Sequence, residues 1–391
     1  MSWMVPYESL DPEQIRFLDY ISSKKQRDHI WLKGFAGTGK TVLLVHTAFQ
    51  LIKDNPSKTI CTVLFTHSLI NMIRTGISDI NAGLEIPLNM RITTYYQFKQ
   101  TPRKYHFIIV DEVQDLPADI LTLLKENCEN LIVAGDSDQS IYTGRVKADS
   151  ILQCVNENAK SLDIIYRITR PVYELIKVIF PEKKIFNAKI ARLPNNQIGL
   201  IQADNKYQEV QYIWEQAKLY SKPGQPSAIL LPRHDMICDF ANLVLEIEGK
   251  RAWEVTLNQY GNNDYSRLNR HFDVHNLPIR YLGNGNDGGN LQDAENQELT
   301  FLLTYHSCKG LDFKSVFLPF LNVDFPLDID DSKDKTLFYV AITRCKKELF
   351  MSYSGNPTDA VDLIANSIPN YVKLITDIDL SEPEDDAIDF F

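Results

Sequence analysis

No stretch of this 391-residue chain reaches the run of about 18 apolar residues that a membrane-spanning helix needs. The first residues, MSWMVPYESLDPEQ, have neither the basic nor the apolar segment of a secretory signal. These absences predict a soluble, cytoplasmic protein with no membrane partner. Cysteine is sparse. Cys61, Cys128, Cys154, Cys238, Cys308 and Cys345 form no CxxC pair, which argues against a zinc site and suits a reducing compartment. His271 has no glutamate beside it before His275, so a zinc-protease helix is not expected and both read as loop histidines. A basic excess is missing too, and the net charge of −10 speaks at first against a nucleic-acid partner. Residues 376–391 (TDIDLSEPEDDAIDFF), however, hold seven carboxylate side chains and no base, which leaves −3 for the rest. A body of that charge accommodates a local basic groove, so charge does not decide the partner.

What is present marks a globular protein: 44% hydrophobic and 10% aromatic residues in a length that suits two domains. Its organising stretch is Lys33-Gly34-Phe35-Ala36-Gly37-Thr38-Gly39-Lys40-Thr41. A short apolar run (HIWLK) precedes it and a helix-like segment follows, so the glycines fall at a strand-to-helix turn, the context of a phosphate-binding loop. Gly34, Gly37 and Gly39 let backbone N–H groups point inward, with the helix N-terminus adding partial positive charge. Lys40 then reaches the β- and γ-phosphates of ATP, and Thr41 holds Mg²⁺ through its hydroxyl. Ahead of the loop, Leu10 to Tyr20 (LDPEQIRFLDY) reads as a helix capped by Asp11. Gln14 either completes that capping box or presents its amide to the adenine edge.

Four apolar runs, 29–33, 59–65, 106–110 and 131–134, alternate with helical segments and predict one doubly wound domain ending near residue 160. The third ends in Asp111 and Glu112, at the carboxyl end of its strand, where ligands collect in parallel sheets. Asp111 is expected to bind Mg²⁺ and Glu112 to deprotonate the attacking water. The fourth ends in Gly135-Asp136, with Gln139 just beyond, whose side-chain amide could touch the γ-phosphate or the attacking water and so report whether ATP is intact. Runs at 198–203, 227–231, 299–304, 315–320 and 348–353, with helices near 206–220, 234–249 and 333–346, predict a second domain of the same kind without a phosphate loop. Residues 257–298, with nine asparagines and five glycines, read as an irregular insertion or mobile loop. Arg167, Arg170, Lys309, Asp312 and Arg344 stand out as charges that a cleft between two domains could use, or as solvated surface groups.

Read in order, LDPEQ, GFAGTGKT, VLFTHS, ITTYYQF, IIVDEVQD, VAGDSDQSIY, IIYRITRP, TYHSCKGLDF and YVAITR resemble the motif series of superfamily 1A helicases of the UvrD/Rep type, over residues 10–350. The resemblance implies an α/β fold of two RecA-like parallel-sheet domains with the ATP site in the cleft between them. Their expected bounds are 1–160 and 161–375, followed by a disordered acidic tail. It also implies roles for single positions. Gln14 is similar to the adenine-reading glutamine, Tyr166 to the tyrosine that stacks on adenine, and Arg167 and Arg344 to two arginine fingers. Asp312 stands where the family usually has a ribose-binding glutamate. Phe65, Thr66, Thr94, Tyr95, Tyr142, Arg145 and His306 fall where relatives touch single-stranded DNA.

Departures from the pattern narrow the expectation. Gly144 replaces a tryptophan on which a base usually stacks, and both accessory subdomains that usually interrupt the two domains are missing. The sequence therefore predicts a minimal DNA-dependent ATPase that moves along single-stranded DNA, with 3′→5′ polarity implied by resemblance alone. The competing expectation is a nucleotide-gated switch that binds DNA and controls a partner nuclease or effector without processive unwinding. A repair or replication partner is expected either way. The tail's EDDAIDFF ending resembles the acidic, phenylalanine-ended tip of bacterial single-stranded-DNA-binding proteins; the competing reading is a disordered solubilising segment.

Overall fold

The computed structural model describes residues 4–23, 28–65, 68–81, 85–136, 145–181, 189–190, 195–257, 261, 264–283, 289–324, 332–376 and 378. The N-terminal half is built on six parallel strands: β1 (His29–Gly34), β2 (Ile60–Leu64), β3 (Met90–Thr94), β4 (Tyr105–Val110), β5 (Cys128–Gly135) and β6 (Ala159–Leu162). They lie in the order β3-β2-β4-β5-β1-β6. Parallel neighbours require crossovers, and here helices supply most of them: α1 (Pro12–Ser23) precedes the sheet, and α2 (Lys40–Asp54), α3 (Ser68–Ile80), α4 (Tyr95–Gln100), α5 (Ala118–Glu126) and α6 (Ala148–Cys154) follow in turn. Because helices cover both faces, a central strand such as β2 (ICTVL) is buried at every residue and shows no apolar–polar alternation.

A short pairing of β7 (Ile164–Ile165) with β8 (Lys189–Ile190), flanking α7 (Arg170–Ile179), leads into the second sheet. That sheet has seven parallel strands: β9 (Ile198–Ala203), β10 (Ser227–Leu231), β11 (Ile279–Tyr281), β12 (Thr300–Thr304), β13 (Phe313–Leu318), β14 (Cys345–Ser354) and β15 (Val372–Ile375). Their order is β11-β12-β10-β13-β14-β9-β15. α8 (Lys206–Tyr220), α9 (His234–Ile247), α10 (Tyr265–Val274), α11 (Ser332–Ile342) and α12 (Asp359–Ser367) pack around it. One apolar core runs continuously through both halves, joining Leu43 and Ile73 to Leu230, Val316 and Phe338. Two further clusters cover the outer faces, around Trp31 and Phe98 in the first half and Trp214 and Phe240 in the second.

Residues 257–298, expected to be irregular, contain α10, β11 and a 3₁₀ turn at Leu291–Ala294. β11 pairs in register with β12 and closes one edge of the second sheet. The apolar faces of α10 (Leu268, Phe272) and β11 (Ile279, Tyr281) are hidden among asparagines and glycines, which masked the periodicity.

Candidate functional site

The loop after β1 is shaped by glycines that no other residue could replace without a shift. Gly37 and Gly39 have φ of 78° and 84°, and a Cβ at Gly37 would sit 2.8 Å from Cβ of Arg167. Gly39 precedes α2 directly, so the first-turn N–H groups face the loop. Lys40, buried at 8% exposure, donates Nζ to the carbonyls of Gly34 (2.8 Å) and Phe35 (3.0 Å). Ala36 is buried within the loop, and the Thr38 hydroxyl donates to Phe35 O at 3.0 Å. Gln14 completes the capping box and also ties the helix start to the loop. Its Oε1 accepts from the Asp11 N–H at 3.1 Å, while its Nε2 donates to Thr38 O at 3.3 Å. Asp11 was not singled out beyond its capping role, yet its Oδ2 accepts from the Tyr166 hydroxyl at 2.5 Å. The Tyr166 N–H in turn donates to Gly37 O at 2.9 Å.

β5 lies between β1 and β4, and the loops leaving β1 and β4 meet above it. The Thr41 hydroxyl donates to Asp111 Oδ2 at 2.6 Å, which sets two oxygens side by side as a hard cation such as Mg²⁺ requires. Burial, reinforced by the charge of Glu112, holds the Asp111 carboxyl above the ordinary range. Glu112 follows in a left-handed conformation (φ 53°, ψ 47°), uncommon for a residue with a side chain and maintained by its surroundings. Gln114 Nε2 donates to its Oε2. Burial pushes the Glu112 carboxyl up, but the positive charges of Lys309, Lys40 and Arg344 together with the Gln114 hydrogen bond hold it below its usual pKa.

The C-terminal half contributes four groups to the same cleft. Lys309, in the turn after β12, donates Nζ to Asp115 at 2.8 Å across the boundary between the halves, with the two side chains 6% and 1% exposed. Its neighbour Gly310 (φ 80°) lies so close to α3 that a Cβ there would be 2.9 Å from Leu69 Cδ2. Arg167 pairs with Asp312 at 2.5 Å. Arg344, 2% exposed, donates to Val340 O (2.9 Å), Leu311 O (3.3 Å) and Thr343 Oγ1 (3.0 Å), and its charge is felt at Glu112. The Lys309–Asp115 pair was not foreseen. The repeated acid in DEVQD and the lysine of KGLDF were its only sequence signal.

Three of the strand candidates come together. Phe65 stacks on Tyr95 with centroids 5.5 Å apart and planes within 15°, and the Arg145 guanidinium lies 5.6 Å from the Phe65 centroid. Thr94 is buried, and its hydroxyl accepts from Gln97 N at 3.3 Å in a capping box at the start of α4. His306 is half-buried in the turn after β12. Thr66, Gln139, Tyr142 and Gly144 lie outside the described residues.

A family model for the UvrD-like helicase C-terminal domain matches residues 277–356, and an AAA domain model matches residues 19–145. The chain is thus similar to UvrD-like helicases over its C-terminal part and to AAA domains over its N-terminal part. It is 26% identical over 274 residues to a probable DNA helicase of Mycoplasma pneumoniae, covering 63% of this chain and 43% of that protein. Over 104 residues it is 35% identical to a probable DNA helicase II homolog of Mycoplasma genitalium (22% and 14% covered). Over 96 residues it is 30% identical to the ATP-dependent DNA helicase Rep of Buchnera aphidicola (23% and 15% covered). Each match spans less than half of the relative's length. Within the chain, α3, β3 and α4 are the named elements between β2 and β4, and α9, α10 and β11 are the principal ones between β10 and β12. Neither interval holds a further domain among the described residues.

Proposed function

We propose that the chain is a DNA-dependent ATPase that moves along single-stranded DNA in the cytoplasm, 3′→5′ by resemblance, with the hydrolytic site between its two parallel-sheet halves. The observation that carries this reading is the convergence of Thr41, Asp111 and Glu112 from one half with Lys309, Arg167 and Arg344 from the other. Lys40 and the loop glycines would hold the phosphates, Thr41 and Asp111 would hold Mg²⁺, and Gln14, Tyr166 and Asp312 would receive the nucleoside. Mg²⁺ would supply neutralisation of phosphate charge. Glu112, whose pKa the surrounding positive charges hold down, is then placed to take the proton of an attacking water, while the arginines oppose the charge that develops on the phosphoryl oxygens. Gln139 would sense the γ-phosphate. Arg167 and Asp312 must part before each can meet its own portion of the nucleotide, so binding is expected to exchange one ion pair for two new contacts.

Phe65, Tyr95 and Arg145 offer a stack and a cation to a strand without reading its sequence, and Thr66, Tyr142 and His306 would extend that contact. Phosphate release measured with oligothymidylates of increasing length tests the reading: stimulation that grows with length supports a translocase. The short intervals where relatives carry accessory subdomains favour a second reading, a nucleotide-gated switch acting on a partner nuclease. Stimulation that saturates on the shortest oligonucleotides would select it. A protein partner engaged through the acidic tail belongs to either reading, and pull-down with a chain lacking residues 377–391 tests it.

A further inference from the structure

Asp115 lies where the two sides of the cleft meet. It ends the short turn Val113–Asp115 after Glu112, is 1% exposed, and is held at 2.8 Å by Lys309. A second cation, Arg145, acts on the same carboxylate from the strand side. Arg145 is tied to this segment through its bridge with Pro117 and through the Val146 N–H, which donates to Leu116 O at 3.1 Å. Its guanidinium is the one that lies over Phe65. On the far side, Lys309 is the strongest attraction acting on Glu112. Arg145, Asp115, Lys309 and Glu112 therefore form a chain of alternating charge from the strand platform to the nucleotide cleft.

We propose that Asp115 is the joint through which an occupied strand platform and an occupied nucleotide cleft strengthen each other, which rests on the reading that both are binding sites. A strand phosphate draws Arg145 toward itself and leaves Asp115 to Lys309 alone, and the pair then holds the C-terminal half down on the carboxylates. In the opposite direction, a nucleotide that draws the halves together commits Asp115 to Lys309 and releases Arg145 to a phosphate. Such coupling is reciprocal, so each ligand must tighten the other by one common factor. Asp115 touches neither ligand and acts by position.

The test measures fluorescein-labelled oligothymidylate binding with and without the β,γ-imido analogue of ATP, and analogue binding with and without the oligonucleotide. In the unaltered protein both ratios should equal the same factor, on the order of tenfold. Asp115→Asn keeps an oxygen for Lys309 but has no charge to share with Arg145. Asp115→Asn combined with Lys309→Met removes both charges, so no buried ion is stranded. In both variants the factor should fall to about one, and the oligonucleotide alone should bind about as tightly as it binds the unaltered protein with the analogue present, on the order of tenfold tighter, because Arg145 is already released. A purely structural pair would instead weaken both affinities and leave their ratio intact. Coupling that survives in both variants, or a factor of one in the unaltered protein, overturns the joint alone. Failure of the unaltered protein to bind either ligand overturns the functional reading and the joint with it.

Discussion

The proposed nucleotide side of the cleft and its proposed strand side are built from different materials. On the nucleotide side, polar and charged groups meet in pairs: Lys309 with Asp115 is buried, while Thr41 with Asp111 and Arg167 with Asp312 are partly buried. On the strand side, Phe65 lies flat on Tyr95 with Arg145 above it, all three half-buried. A buried ion pair holds its geometry because loss of one partner strands the other away from water. Stacked rings hold theirs through contact area and accept any base with a flat face. The first side should fail sharply when altered, the second by degrees.

The sharpest failure is expected at Lys40→Ala and Glu112→Gln, where strand-stimulated phosphate release should fall by about 10³-fold or more. Only Glu112→Gln should still bind nucleotide, as titration with a fluorescent ATP analogue would record. Arg344→Lys keeps a charge but not the planar fork, and a loss of about 10³-fold is expected if the side chain meets the transferring phosphoryl. A loss below tenfold would make it a structural residue that ties α11 to β13. Lys309→Met should lower the unfolding free energy by about 3–5 kcal/mol in urea, because buried Asp115 loses the cation that hydrogen-bonds to it. Adding Asp115→Asn should recover most of that loss. Phe65→Ala should weaken strand binding by about 1–3 kcal/mol, read by anisotropy with a labelled oligonucleotide. The smallest effect belongs to Thr94→Ala, about 1 kcal/mol of stability from the lost cap with strand affinity unchanged. Strand affinity that drops while stability holds would return the Thr94 hydroxyl to the strand side and blur the division.

Much of the architecture was legible because parallel strands buried on both faces leave unmistakable apolar runs. Strands 198–203 and 227–231 appear with the expected bounds, and the phosphate loop sits between β1 and α2. The edges were harder to read. β6 (AKSL) and β15 (VKLI) are four residues long with half of their side chains exposed, too short for a clear apolar pattern, and β11 is three residues long within a polar stretch. Gln14 could not be apportioned from spacing, because one amide uses its oxygen in the cap and its nitrogen on the loop. Asp115 and Lys309 are 194 residues apart in sequence, and nothing local in either segment announces the other.

Phosphate release by the purified chain, with and without single-stranded DNA and alongside Glu112→Gln, tests the central claim most directly. The account predicts ATP turnover that rises with strand length and disappears in Glu112→Gln while nucleotide still binds. Turnover that persists in Glu112→Gln, or none in the unaltered chain at any strand length, would contradict it.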